Sequence, residues 1–359
     1  MKAYLKELLY YILTGVMLWY CIILISDAQN VKQGIVESVN VCMNVIIPSL
    51  FAFMAASGLI VSSGAYVILS KPFYILSKHL IKMPWELFGI FLISNFAGYP
   101  IGAKLLCDLY DKKKIDSKTA KTMICFCFGA GPGFIGSGIG LAVFGSIRVG
   151  MIIFISCALS NLMLAAVMCR IFKPKIEKED THLRFDSQIL TDSVLSAGRS
   201  LLIVCVFIVF FSTVMSVLDH YGIIGQLGSI FTIPNSETFV RAFLEISNIT
   251  RVSNNSFEIL PLAAVMCSFG GICVILQVKA LTGKRFDLKP FLLTRPICCA
   301  LSAINTLWIS RLMLPDSLEA FASDSHIFVK VNNFVPSVCL ILMIFLLKIK
   351  KRVAFLKQV

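Results

Sequence analysis

Cys127-Phe128-Gly129-Ala130-Gly131-Pro132-Gly133 falls in the middle of an apolar run long enough to cross a bilayer. Three glycines and a proline within five residues remove side chains and one N–H, so a helix passing here should unwind and expose backbone dipoles. The cadence returns downstream. Cys127-Phe128-Gly129 is matched by Ser268-Phe269-Gly270, then Gly271, at an offset of 141 residues. Ile155-Ser156-Cys157-Ala158-Leu159-Ser160 is matched by Ile297-Cys298-Cys299-Ala300-Leu301-Ser302 at an offset of 142. Two halves built alike in an apolar chain point to a polytopic transporter with one site at their interface. Chance similarity between apolar helices is the alternative.

Composition supports the membrane reading. The 359 residues are 57% hydrophobic and only 15% charged, with mean hydropathy +0.85. Soluble domains carry about 25% charged residues. Continuous apolar runs, rather than alternating ones, exclude a β-barrel and give an all-α polytopic membrane protein. The net charge of +13 does not point to nucleic acid, because the basic residues cluster between apolar runs instead of covering a soluble face. The 13 cysteines lie mostly inside apolar segments, without C-x-x-C, and the four histidines are scattered. They read as small buried hydrophobes, not as a metal site or a disulfide framework.

About eight spans are expected, over residues 8–26, 37–62, 119–144, 149–171, 193–218, 260–278, 291–313 and 328–347. Residues 26–28 imitate a signal-peptide cleavage site, but the first run is too long and more spans follow, so it reads as an uncleaved helix. Two further apolar stretches, 85–109 and 238–249, precede the Gly-interrupted spans and read as re-entrant hairpins. With the N-terminus inside, 27 of the 33 lysines and arginines fall on the inner side, including Lys104 and Arg295. The hairpins then open from opposite sides, which makes the repeats inverted. The expected organisation is an N-terminal helix (1–34), a first repeat (35–172), a cytoplasmic linker (173–190), a second repeat (191–313) and a C-terminal helix with a basic tail (314–359).

No H-E-x-x-H, G-x-S-x-G or P-loop motif occurs, and no catalytic cluster of Asp, His or Cys is evident, so an enzyme is not expected. Candidate solute-binding residues lie in the hairpins and breaks. The first hairpin supplies Asn95, Gly98, Tyr99, Pro100, Gly102 and Lys104; the first break supplies Gly129, Gly131, Pro132 and Gly133. The second hairpin supplies Glu245, Ser247, Asn248 and Thr250; the second break supplies Ser268, Gly270, Gly271 and Gln277. Lys104 either snorkels to the cytoplasmic interface or anchors an anion. Glu245 either pairs with Lys104, binds a proton or sodium ion, or lies at the outer interface. Gln277 lines the site or sits near the inner boundary beside Lys279. No cofactor is expected, and the coupling ion, sodium or proton, is left open.

Pro48-Ser49-Leu50-Phe51, then Gly98-Tyr99-Pro100-Ile101-Gly102-Ala103-Lys104, resembles the sporulation integral membrane protein YlbJ family. Phe243-Leu244-Glu245-Ile246-Ser247, Ser268-Phe269-Gly270-Gly271 and the segment from Lys289-Pro290-Phe291 to Arg295 are similar to its second half. That family is grouped with nucleoside-recognition (Gate) proteins and looks like concentrative nucleoside transporters. The resemblance implies a permease of endospore-forming bacteria, in the cell membrane or a membrane around the forespore, with dipicolinate as candidate solute. A dianion would give Lys104 a purpose. Relatives tend to carry Ser and Asn where this chain has Gly129-Ala130-Gly131, so backbone groups substitute there or the solute differs. A nucleoside transporter and a non-transporting scaffold of spore assembly are the alternatives. The lipid bilayer and a small solute are the expected partners; homo-oligomerisation is left open.

Overall fold

The computed structural model describes residues 2–176, 186–252 and 257–313, and every regular element among them is helical. Helix α1 (Lys2–Ser26) leads into α2 (Ala28–Val41), a π turn (Cys42–Ile46) and α3 (Ile47–Ser62), which continue one another. The π turn lies just before Pro48, whose ring clashes with the preceding turn and which lacks the N–H for the ordinary ladder. Gly64, with φ +81°, then turns the chain into the short α4 (Tyr66–Ser70), and the two arms are bent by 94°. Helices α5 (Phe88–Phe96) and α6 (Ile101–Asp111) form the first hairpin. Helix α7 (Ser117–Met123) follows, capped by Asp116, whose side chain accepts from the Thr119 N–H at 2.8 Å.

Beyond α7 lie a non-helical stretch, a π helix (Phe134–Leu141), the short α8 (Ala142–Phe144) and the long α9 (Ile147–Phe172). Then come α10 (Ser187–His220), α11 (Ile223–Ser229), α12 (Ser236–Leu244) and a 3₁₀ turn (Ile246–Arg251). The last described elements are α13 (Leu260–Phe269), α14 (Gly271–Thr282) and α15 (Lys289–Met313).

Among the described residues, five stretches are long and apolar enough to cross a membrane: Glu7–Ser26, Ile147–Phe172, Ser187–His220, Leu260–Thr282 and Lys289–Met313. The bent pair Leu50–Ser62 with Tyr66–Phe73 makes a sixth if taken as one span. The chain therefore has the make-up of an integral helical membrane protein. The expected span at 119–144 is not one helix but two pieces separated at the Gly-Pro sequence. The second hairpin also differs from expectation, since its returning limb is a 3₁₀ turn. The eighth expected span, 328–347, and the middle half of the 173–190 linker, 177–185, lie outside the described residues.

Helix α3 packs on α10, and α15 packs on both α9 and α13. Lipid offers no hydrophobic incentive for these contacts, so small residues and interhelical hydrogen bonds carry them. Gly140 and Gly150 let the π helix and α9 touch backbone to backbone; a Cβ on Gly140 would sit 2.6 Å from the Gly150 Cα. Asn305 of α15 reaches Ser160 Oγ of α9 at 2.9 Å.

Candidate functional site

The first hairpin tip closes on the first break. Gly98 adopts φ +86°, and its neighbour across the junction is Gly131. A side chain on Gly131 would come within 2.9 Å of Phe96 O. Gly102 lies against the Cys127 carbonyl, and Pro100 opens α6. Asn161 Nδ2 of α9 donates to Asn95 Oδ1 at 2.7 Å and to Phe128 O at 2.8 Å, while Asn95 Nδ2 donates to Phe91 O at 2.8 Å. Pro132 and Gly133 stand at the restart of the helix, where a missing N–H costs nothing. A Cβ on Gly133 would meet nothing within 4 Å.

The second break is sharper. Gly270 and Gly271 both hold positive φ, +83° and +80°, and separate α13 from α14. Gly271 abuts the end of α12: a Cβ there would lie 3.2 Å from both Ala242 O and Ile246 N. Each break also has an aromatic pair with its hairpin. Tyr99 meets Phe128 at 4.8 Å between centroids, and Phe243 stacks on Phe269 at 4.8 Å. The breaks face one another, because Phe128 lies against Gly270 and the Tyr99 hydroxyl donates to Cys267 O.

Arg295 sits at this meeting point, only 1% exposed. The charge count puts it on the inner side, at the start of the expected span 291–313; the structure buries it in α15, within the core. Its Nη1 donates to Ser268 O at 3.3 Å, and its Nη2 donates to Cys125 O and to Cys298 Sγ, the latter at 3.4 Å. The guanidinium lies 4.9 Å from the centroids of both Phe128 and Phe291. Among the described residues no carboxylate pairs with it.

A polar cavity of about 130 Å³ lies beside the second hairpin, walled by α2, α10, α12 and the 3₁₀ turn. One water needs roughly 10–15 Å³, so the space admits several waters or a small solute. Glu245 is 5% exposed on its wall, accepting from Ser247 N at 3.0 Å, Ser247 Oγ, and Asn248 Nδ2 at 3.2 Å. Thr250 Oγ1 donates to Ser247 O at 2.8 Å. Arg241 and Arg251 line the cavity too, paired with Asp219 at 2.5 Å and Glu37 at 3.6 Å.

The predicted residues therefore separate into groups. The breaks and the first hairpin tip form one junction, to which Ser268 contributes its carbonyl. Glu245, Ser247 and Asn248 line the polar cavity. Lys104 reaches neither. It is 4% exposed, paired with Asp108 at 2.9 Å, and lies close to Gly58 of α3. Its ammonium is turned to Asp108 and not to Glu245. Gln277 is buried and donates to Cys273 Sγ at 3.3 Å on its own helix.

Sequence reasoning missed Asn161, Arg295 and the α2 and α10 walls of the cavity, including Ser38, Ser212 and Ser216. A lone amide in the apolar α9 was the available signal for Asn161. The fold and site define a helical membrane protein with two broken helices meeting at a buried cation. Compared with family models, curated proteins and solved structures, the chain matches none.

Proposed function

We propose that the protein is a membrane permease for a small polar or anionic solute, working by alternating access between inverted repeats. One observation carries the reading: two helices, broken in mid-course at Gly129–Gly133 and Gly270–Gly271, face each other, and each break abuts its own hairpin. Irregular backbone at such depth is tolerated where it is buried in protein or lines a path for solute. At an offset of 142 residues α9 corresponds to α15 and α3 to the first half of α10, and the members of each pair touch, which supports two related halves. The polar cavity at Glu245 offers an entry beside the second break. Eight spans with both termini cytoplasmic, and membership of the sporulation YlbJ family, belong to the same proposal.

Dipicolinate is the candidate solute through that resemblance. The test is uptake of labelled dipicolinate, with uridine alongside, into vesicles containing the purified protein. Saturable dipicolinate uptake supports the full reading, and uridine uptake alone keeps the permease and replaces the solute. Flux of neither, from folded protein, favours a non-transporting scaffold.

A further inference from the structure

The Arg295 guanidinium sits where carbonyls from both broken helices converge. In secondary transporters built on broken helices, unwound carbonyls and half-helix C-terminal ends hold the coupling sodium ion or proton. Such ends carry about half a negative charge each. Here the end of α13 offers Ser268 O, and the turn just past α7 offers Cys125 O. Both carbonyls converge on one guanidinium.

Backbone dipoles solvate this cation, and among the described residues no carboxylate pairs with it; its Nε is buried without a hydrogen-bond partner. Arginine is a permanent cation, and the Phe128 and Phe291 rings flank it, each 4.9 Å away. The 142-residue offset between the halves places Ile153 at the matching position of α9, so only one half carries the cation. One residue near the meeting of the halves serves both breaks.

We propose that Arg295 is a built-in substitute for a coupling metal cation, so that solute movement is independent of sodium and of other monovalent metal ions. This inference rests on the permease reading, yet part of its test does not. The full chain in detergent is melted in sodium, potassium and choline chloride, and the same salts are used for vesicle uptake of dipicolinate and uridine.

The expected wild-type result is one melting temperature and one uptake rate in all three salts. Arg295→Gln melts lower and regains part of the loss, saturably, with millimolar guanidinium or sodium. Arg295→Lys keeps the charge and melts closer to wild type. A bound coupling cation would alter solute affinity by about 5- to 150-fold, so an uptake loss of that order in choline overturns the proposal. A saturable rise of the wild-type melting temperature with sodium overturns it as well. So does an Arg295→Gln protein as stable as wild type. If Arg295→Gln fails to fold, the salt series on the wild type and Arg295→Lys decides. Absence of uptake in every salt, with the melting pattern as expected, defeats the permease reading and leaves the cation assignment supported.

Discussion

Asn161 and Asn95 are joined amide to amide at 2.7 Å, although 66 residues separate them, and the same Asn161 nitrogen also reaches Phe128 O at 2.8 Å. One side chain thus fastens α9 to both the first hairpin and the first break. Both amides are buried. Replacing Asn161 by Ala strands two acceptors, at about 1–3 kcal/mol for each buried group left unpaired. Asn161→Ala should melt well below wild type. Combined with Asn95→Ala, its loss should be sub-additive, with a coupling of about 0.5–3 kcal/mol. Strictly additive melting losses would show that the hydrogen bond contributes nothing.

Lys104 and Asp108 make an asymmetric pair, the lysine 4% exposed and the aspartate 26%. Removing the aspartate strands a buried cation, whereas removing the lysine leaves an acid with some access to solvent. Breaking a buried pair costs about 3–5 kcal/mol when an uncompensated buried charge remains. Asp108→Asn should therefore destabilise more than Lys104→Met, and Lys104→Met with Asp108→Asn should recover much of the loss. If Lys104 instead anchors the solute, Lys104→Ala abolishes uptake at full protein level and the double variant stays inactive. Normal uptake by folded Lys104→Ala removes this residue from the route.

Gly270 is fixed by both conformation and space. Its φ is +83°, and a Cβ would fall 2.6 Å from the Phe128 ring. A left-handed residue other than glycine costs about 1–2 kcal/mol before any clash. Gly270→Ala should melt markedly lower than wild type and lose solute movement. Gly198 of α10 is the control, because a Cβ there meets nothing within 4 Å and the position is helical. Gly198→Ala should gain about 0.5–1 kcal/mol. Equal melting temperatures for the two variants would refute the constraint at the break.

What the sequence exposed and what it hid follow from range. Glycine and proline act locally, so Gly129–Gly133 and Gly270-Gly271 announce both breaks, and Gly98 with Pro100 announces the first hairpin. Apolar run length reveals the membrane class for the same reason. Arg295 was hidden because its partners are carbonyls of Cys125 and Ser268, 170 and 27 residues away, and carbonyls leave no side-chain signature. Its place near the start of α15 also let it count as an ordinary inner-side charge. Lys104 was visible as an anomaly, but its i+4 partner Asp108 was passed over. The cavity at Glu245 needs α2 and α10 as walls, and no spacing in the chain brings Ser38 or Ser212 to the second hairpin.

The cap of α7 gives a pH-dependent prediction outside the spans. Burial pulls the Asp116 carboxyl upward, but the hydrogen bonds it accepts from Thr119 outweigh this and hold it below its ordinary value. A carboxyl lowered by folding adds stability above its unfolded value of about 3.9, and that stability disappears as pH falls through the folded value. Asp116→Ala should cost about 1 kcal/mol at neutral pH. The gap to wild type should narrow on acidification to about pH 3 and below. A gap unchanged from neutral to acid pH would mean that the carboxylate is not the cap.

Glu245 is the acid on the cavity wall whose side-chain hydrogen bonds stay within its own hairpin. Ser247 N, Ser247 Oγ and Asn248 Nδ2 all point donors at its oxygens. Glu245→Gln keeps the shape but offers one acceptor and an NH₂, so at least one donor loses its partner. Each buried donor left unpaired costs about 1–3 kcal/mol, which sets the scale of the stability loss. Glu245→Asp keeps the acid on a shorter arm. If the cavity is the solute's entry, uptake should fall in Glu245→Gln more than melting does, and Glu245→Asp should recover part of it. Initial uptake rates and melting curves on the same preparations separate the two effects. A Glu245→Gln protein that melts lower but moves solute at the wild-type rate would confine Glu245 to holding the second hairpin in shape.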